Sequence, residues 1–323
     1  MENTQLKSVL LIGILGEYSF GHFVIRELIK QRSSFRRIGV YHDTSRGTDE
    51  RKKALLEQYR EAGIEIIAGE GFASPTPYIG FDCVMVFLGN YGLHLQPVLI
   101  DAAIEAGVRH IYPSEYGADL DIGQNQTQRY YIHKIMTREH LKKRGQEIPE
   151  LGWTYFLLGR LTEWAVTPHF GFNNRDATAK IYGTAEGRQN LINATDSATY
   201  IVETLKEPIS ATAEGHRRTY RISESSPTYA EIFDILQRVT GRRYSVEYLD
   251  VESAQEEERA ANASGDTEAE LAASHKLIQG REGTLLPVPW NNERFPGVKP
   301  AGLEDSLRAA FAHPKLRKAY GLD

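Results

Sequence analysis

The chain has 323 residues, 41% of them apolar and 25% charged, a balance that suits about two globular units and excludes a disordered or collagen-like chain. Lys plus Arg total 38 against 43 Asp plus Glu, a net charge of -5, so the chain lacks the basic field that drives sequence-independent phosphate binding, and nucleic acid is not an expected partner. The single cysteine, Cys83, excludes an intramolecular disulfide and a Cys-based zinc site; no stretch approaches the ~20 apolar residues that cross a bilayer, and the N-terminus has no signal-type pattern, so a cytoplasmic protein without membrane association is expected.

From the N-terminus, short β-branched runs alternate with longer segments of helical period. Strands are expected over residues 8–13, 37–41, 64–68, 82–88, 109–113 and 154–158, with helices over 20–31, 49–62, 95–106 and 126–144. In the first helix Phe23, Val24, Leu28 and Ile29 recur near helical spacing and give one apolar face. This rhythm predicts an α/β fold, a doubly wound parallel Rossmann-type sheet. Past residue 158 the rhythm changes to a loop-rich stretch over 162–175, strands over 177–182 and 217–223, and helices over 197–206 and 229–240. The charged, Ala- and Glu-rich segment 251–278 reads as a solvated amphipathic helix. Pro287, Pro289, Pro296 and Pro300 then punctuate a loop before short terminal helices. The expected division is a dinucleotide-binding domain over 1–158 and a smaller C-terminal α+β substrate cap over 159–323, partly returning to the sheet around 177–208.

Residues 10–27, LLIGILGEYSFGHFVIRE, are a strand, a Gly-bearing turn and an amphipathic helix in that order. Such a junction turns backbone N–H groups and the positive end of a helix dipole toward a pyrophosphate. Gly13, Gly16 and Gly21 are spaced as Gly-x-x-Gly-x-x-x-x-Gly, two residues longer than the extended-type fingerprint. In the strand's register Ser19 stands at the third glycine; in the helix's register Leu15 and Tyr18 replace the first two. Gly13, Gly16, Ser19, Phe20 and Gly21 are the candidate phosphate contacts, and the alternative is a turn of this shape that no longer binds a dinucleotide. The second strand ends in Tyr41-His42-Asp43-Thr44-Ser45-Arg46, which offers an acidic residue for the free ribose of NAD and a basic one for the 2′-phosphate of NADP. His42 and Arg46 join the candidate cofactor contacts, with NADPH preferred and NADH left open; Asp43 as a turn cap and Arg46 as a surface charge are the other readings.

The fifth expected strand runs into Ser114-Glu115-Tyr116-Gly117 at the carboxyl edge of the sheet, where open α/β sheets bind ligands. This makes Ser114 a candidate catalytic residue and Glu115 and Tyr116 candidate substrate contacts. Tyr130 and Lys134 follow, four residues apart and expected on one helical face. A phenol and an ammonium there can share a site and relay a proton. No metal-ligand spacing and no Gly-x-Ser-x-Gly elbow is present.

Two runs, LIDAAIEAGVRHIYPSEYG over 99–117 and YIHK over 131–134, resemble the isoflavone reductase and phenylcoumaran benzylic ether reductase family and the NmrA-like proteins, all atypical short-chain dehydrogenases. The likeness continues more loosely through 177–208 and 291–300, whereas the Gly-rich turn departs from the family's pattern. The resemblance implies a proton-transfer role for Lys134, hydride from NADPH and a phenylpropanoid-like substrate. It sets Ser114 near the nicotinamide edge, Gly89, Asn90 and Gln96 near the cofactor cleft, and Arg160, Trp164, His169 and Phe170 in the substrate wall. Tyr130 is an addition to the family's pattern, either a restored acid or a ring that stacks on substrate. The expected function is an NADPH-dependent reductase of an aromatic or polyketide-like small molecule. A non-redox isomerase, cyclase or lyase with a decayed cofactor turn is one alternative, and an NmrA-like dinucleotide-sensing regulator is another; a homodimer is left open.

Overall fold

The computed structural model describes residues 5–16, 19–209 and 216–322; Tyr18, one of the two residues at issue in the turn's register, lies outside them. Chain order in the first half is β1 (Ser8–Ile12), α1 (Phe20–Lys30), β2 (Arg37–Asp43), α2 (Glu50–Glu61), β3 (Glu65–Gly69), β4 (Cys83–Val86), α3 (Gln96–Glu105), β5 (His110–Tyr112), α4 (Ile132–Glu147) and β6 (Gly152–Leu157). The second half continues with β7 (Arg160–Leu161), α5 (Thr162–Ala165), β8 (Phe172–Asn173), β9 (Thr178–Tyr182), β10 (Leu191–Ile192), α6 (Ala194–Lys206) and β11 (Arg217–Arg221). It ends with α7 (Tyr229–Thr240), β12 (Ser245–Leu249), α8 (Val251–Ser264), α9 (Thr267–Gly280), α10 (Leu303–Ala312) and α11 (Pro314–Ala319).

The central sheet has seven strands in the order β11-β6-β5-β4-β1-β2-β3. Its β1–β2, β1–β4, β2–β3, β4–β5 and β5–β6 pairs are all parallel. Every residue of β1, SVLLI, is buried, as is every residue of β4 and β6, which is how strands covered on both faces by helices must be built. The strand order reverses between β1 and β4, and the carboxyl ends of those two strands form the crevice where ligands of such sheets bind. Helix α1 packs through Gly21, Val24, Ile25 and Leu28, spaced i, i+3, i+4, i+7, so its buried face is rotated from the expected one toward Ile25 and away from Phe23 and Ile29.

Two compact units divide the described chain. One comprises residues up to Glu115, His133–Phe156 and Ala198–Tyr220; the other comprises Tyr116–Ile132, Leu157–Ser197 and the chain from Arg221 onward. The first unit takes in residues 198–220, which include most of β11 at the edge of the central sheet. The strand expected at 177–182 is β9, which lies in a separate three-stranded sheet, β12-β9-β8. The strand expected in the cap at 217–223 is β11, the outermost neighbour of β6. Its sequence RRTYR hides this because the half-buried arginines are accommodated through partners for their guanidinium heads. The Arg217 guanidinium lies 4.6 Å from the Trp153 ring centroid and donates to the Gly145 carbonyl at 2.6 Å, while Arg218 donates to the Tyr112 hydroxyl at 3.3 Å.

Residues 251–278 are two helices, α8 and α9, parted at Gly265, whose φ of 77° ends the first. Helix α8 has the expected solvated character, but α9 buries Ala273, Ser274, Leu277, Ile278 and Gln279, which corrects the reading of the whole segment as solvated.

Candidate active site

The β1–α1 turn is shaped by two glycines with different tasks. Gly13 has a φ of 84°, and a Cβ there would lie 2.8 Å from the Phe87 carbonyl oxygen. Gly21, on the first turn of α1, lets the helix settle on the sheet, because a Cβ would run into Ile14 and lie 2.8 Å from the Phe87 ring. These are the first- and third-glycine roles of a dinucleotide turn, so the third falls to Gly21 and not to Ser19, and the added length lies between them. At Gly16 a Cβ would meet nothing nearer than Ser19 Cβ at 3.6 Å, so packing does not require glycine there. Ser19 is the N-cap of α1, but its hydroxyl donates to the Ile14 carbonyl at 3.3 Å and does not cap the helix. Phe20 opens the helix with its ring edge-on to Phe87, centroids 5.9 Å apart.

We expect Gly21→Ala to cost about 1–3 kcal/mol through overpacking, read by urea denaturation. Gly16→Ala should change stability by no more than about 0.5 kcal/mol yet weaken NADPH binding, because the middle glycine is the one that leaves room for phosphate. Equal losses of stability in both variants would refute this division of labour.

At the end of β2, Asp43 accepts from Ser45 N at 3.1 Å, Ser45 Oγ at 2.6 Å and Gly71 N at 3.1 Å, and pairs with Arg46 at 3.3 Å. Burial alone would raise the Asp43 carboxyl; the hydrogen bonds and the Arg46 charge hold it below the usual range. Asp43 thus serves as a turn cap, while Arg46 is largely exposed. The neighbouring His42 is buried, with Nε2 2.8 Å from Thr48 Oγ1. A cation that the sequence reading missed also lies here: Arg51, on α2, donates to the Leu15 carbonyl of the Gly-bearing turn at 3.5 Å.

The ends of β4, β5 and α4 are tied by one chain of hydrogen bonds. Gln96, fully inside, accepts from Ser114 N at 2.8 Å and donates to Thr137 Oγ1 at 3.3 Å, and Ser114 Oγ donates to the Leu88 carbonyl at 2.8 Å. A Cβ on Gly89 would meet nothing within 4 Å, and the exposed Gly89 is followed by half-buried Asn90. The Glu115 carboxylate is 1% exposed and makes a bidentate pair with Arg138, at 3.0 Å and 3.1 Å, which holds it within the sheet unit. Lys134 lies one turn before Arg138 on α4. Its ammonium makes no hydrogen bond or ion pair among the described residues, and burial lowers its pKa, opposed by Glu115 and reinforced by Arg138.

Tyr130 does not share a helical face with Lys134. Residues Arg129–Tyr131 form a 3-10 turn and α4 starts at Ile132. Side-chain bonds from Gln128 to Glu258 and from Arg129 to Glu270 draw this turn toward α8 and α9. The Tyr130 ring packs on His275, centroids 4.2 Å apart. His275 also touches His169, to which it hydrogen-bonds, and Phe170 at 5.4 Å, and the Arg160 guanidinium covers the Phe170 ring at 4.0 Å. Tyr130, Arg160, His169 and Phe170 are thus gathered in the second unit around His275, which carries no local sequence signal. Trp164 is half-buried on α5 with its carbonyl accepting from Thr167, and Tyr116 is half-buried. No group of three or more potential metal ligands occurs among the described residues, and no helix among them is long and apolar enough to cross a membrane.

A parallel sheet in the order 3-2-1-4-5-6, with a glycine turn at the reversal point, defines a Rossmann-type protein of the nucleotide-binding class. Within that class the chain belongs to the NmrA-like family, whose model matches residues 5–273. It is related to proteins curated as oxidoreductases. The oxidoreductase aprR of Aspergillus flavus is 29% identical over 184 residues, 56% of this chain and 59% of that protein. An isoflavone reductase homolog, IRL, of Zea mays is 25% identical over 215 residues, covering 64% of this chain and 67% of that one. The solved structure of AtPrR2 with NADP+ and (+)pinoresinol shares the fold, with a TM-score of 0.77 and 18% identity over 95% of this chain and 99% of that one.

Proposed function

We propose that the protein is an NADPH-dependent reductase of an aromatic or polyketide-like small molecule, with Lys134 as the proton donor. One observation carries the reading. At the carboxyl edge of the sheet Glu115 is consumed by Arg138, which leaves the half-buried Lys134 ammonium without a hydrogen bond or ion pair among the described residues. A half-buried ammonium with no ion-pair partner among the described residues gives up its proton more readily than a fully solvated lysine, which suits a general acid. Curated relatives named as oxidoreductases and a structural neighbour holding NADP+ and pinoresinol support the reaction class and the aromatic substrate.

The residues present fit a nicotinamide dinucleotide. Gly13 and Gly16 would let the phosphates approach the turn, the Ser19 side chain does not cap the first turn of α1, and Gly89 leaves open space beside β4. Arg46 and Arg51 would meet a 2′-phosphate, which favours NADPH over NADH. When bound, the cofactor supplies hydride. Ser114 and Gln96 act by position: their mutual hydrogen bond and their ties to Leu88 and Thr137 fix the floor of the site and the start of α4. Tyr130 supplies a ring for stacking rather than a second acid.

The lengthened turn is the feature that favours a non-redox enzyme, yet both of its packing glycines keep their contacts. Titration with NADPH and NADH, followed by cofactor fluorescence, tests the reading. Saturable binding with NADPH the tighter of the two is expected, and no response to millimolar NADPH would reject both the reductase and the dinucleotide sensor.

A further inference from the structure

Arg160 opens β7, in the second unit, and is only 8% exposed. A guanidinium so deeply placed is costly unless a carboxylate neutralises it. None does: its two hydrogen-bond acceptors are neutral, Gln279 Oε1 at 2.9 Å and the His275 carbonyl at 3.4 Å. Its remaining N–H groups have no acceptor, and no ion pair is formed, among the described residues. Contrast Arg138, equally buried and fully paired with Glu115. The surroundings of Arg160 are aromatic. Phe170 lies against its flat face, and the rings of Tyr130 and His169 meet at His275, whose carbonyl Arg160 touches. The nearby charge is also positive: burial, then Arg160 and Lys276, push the His169 imidazole below its ordinary pKa.

We infer that Arg160 is an anion receptor, and that the natural substrate of this site is an aromatic compound bearing a carboxylate. The planar guanidinium fork matches a carboxylate bidentately, and Tyr130, Phe170 and His275 supply faces and edges for a flat ring beside it. His169 is exposed and Phe170 half-buried, so the aromatic group beside the cation reaches the surface of the unit. The inference rests on the second unit being the substrate side of the proposed reductase, and it specifies what that side selects.

Calorimetric titration of the full chain, without cofactor, with 2-naphthoate, 2-naphthamide and 2-naphthol is the test. The acid should bind about tenfold or more tightly than the amide and the phenol. Arg160→Lys should keep part of that preference, and Arg160→Met should bind the acid no more tightly than the amide. Equal affinity of the wild type for acid and amide, an intact preference in Arg160→Met, or no binding of the acid at millimolar concentration would each overturn the inference. The wild-type comparison needs no variant to fold. NADPH titrated in parallel keeps the two ideas apart: acid preference without NADPH binding removes the reductase and leaves the anion receptor, and the reverse pattern removes only the receptor.

Discussion

Replacing Lys134 by alanine lowers turnover by about 100- to 10,000-fold, the range for losing a positioned general acid, while leaving the NADPH titration unchanged. Turnover is followed as loss of nicotinamide absorbance with aromatic enones, benzylic ethers and their carboxylated analogues. The reasoning starts from the environment of α4. Burial lowers the Lys134 pKa, Glu115 opposes the shift, and Arg138 adds to it. A donor works only while protonated, so the rate holds at lower pH and falls as pH rises through the depressed pKa. The alkaline limb of kcat therefore lies below the ordinary lysine range. Arg, whose guanidinium stays protonated, cannot restore the step, so Lys134→Arg should remain slow at every pH. A Lys134→Ala enzyme with undiminished kcat would remove the assignment, whereas one that responds to NADPH but never had turnover would identify a sensor.

How much of this was legible in the chain depends on whether a residue's task is local. The six strands from β1 to β6 follow from β-branched runs bounded by turns, and the dinucleotide turn follows from the glycines between a strand and a helix. The seventh strand escapes because RRTYR has no apolar alternation; its arginines are held by their guanidinium groups, Arg217 over Trp153 and Arg218 on the Tyr112 hydroxyl. Tyr130 and Lys134 are four apart in sequence, but the turn before α4 is fixed by Gln128 and Arg129 reaching to α8 and α9, more than a hundred residues away. The same holds for His275 and Gln279. Nothing near them in sequence distinguishes them on a charged helix, and their partners His169 and Arg160 come from another part of the chain. The motif points to Glu115, but its ion pair is not legible beside it, because the partner Arg138 lies on a later helix. Whether a carboxylate is spent inside the fold or offered to a ligand is set by tertiary contacts.

That distinction makes Glu115 the most consequential position for stability. Glu115→Gln removes one charge from a pair whose side chains are 1% and 6% exposed and leaves the Arg138 guanidinium buried without a counterion. Breaking such a pair costs about 3–5 kcal/mol, far more than the pair itself is worth against an apolar replacement. The double variant Glu115→Leu with Arg138→Met should therefore be close to the wild type in urea denaturation, and much more stable than Glu115→Gln. The glutamine variant also carries a signature that stability alone would not give. Glu115 raises the Lys134 pKa and Arg138 lowers it, so losing the carboxylate leaves only depressing influences, and the alkaline limb of kcat moves to lower pH. A Glu115→Gln protein that loses less than about 1 kcal/mol, well short of a buried pair, would mean that water reaches this ion pair. An unmoved limb in a stable enough variant would mean that Lys134 does not sense Glu115 and is not the group titrating in the rate.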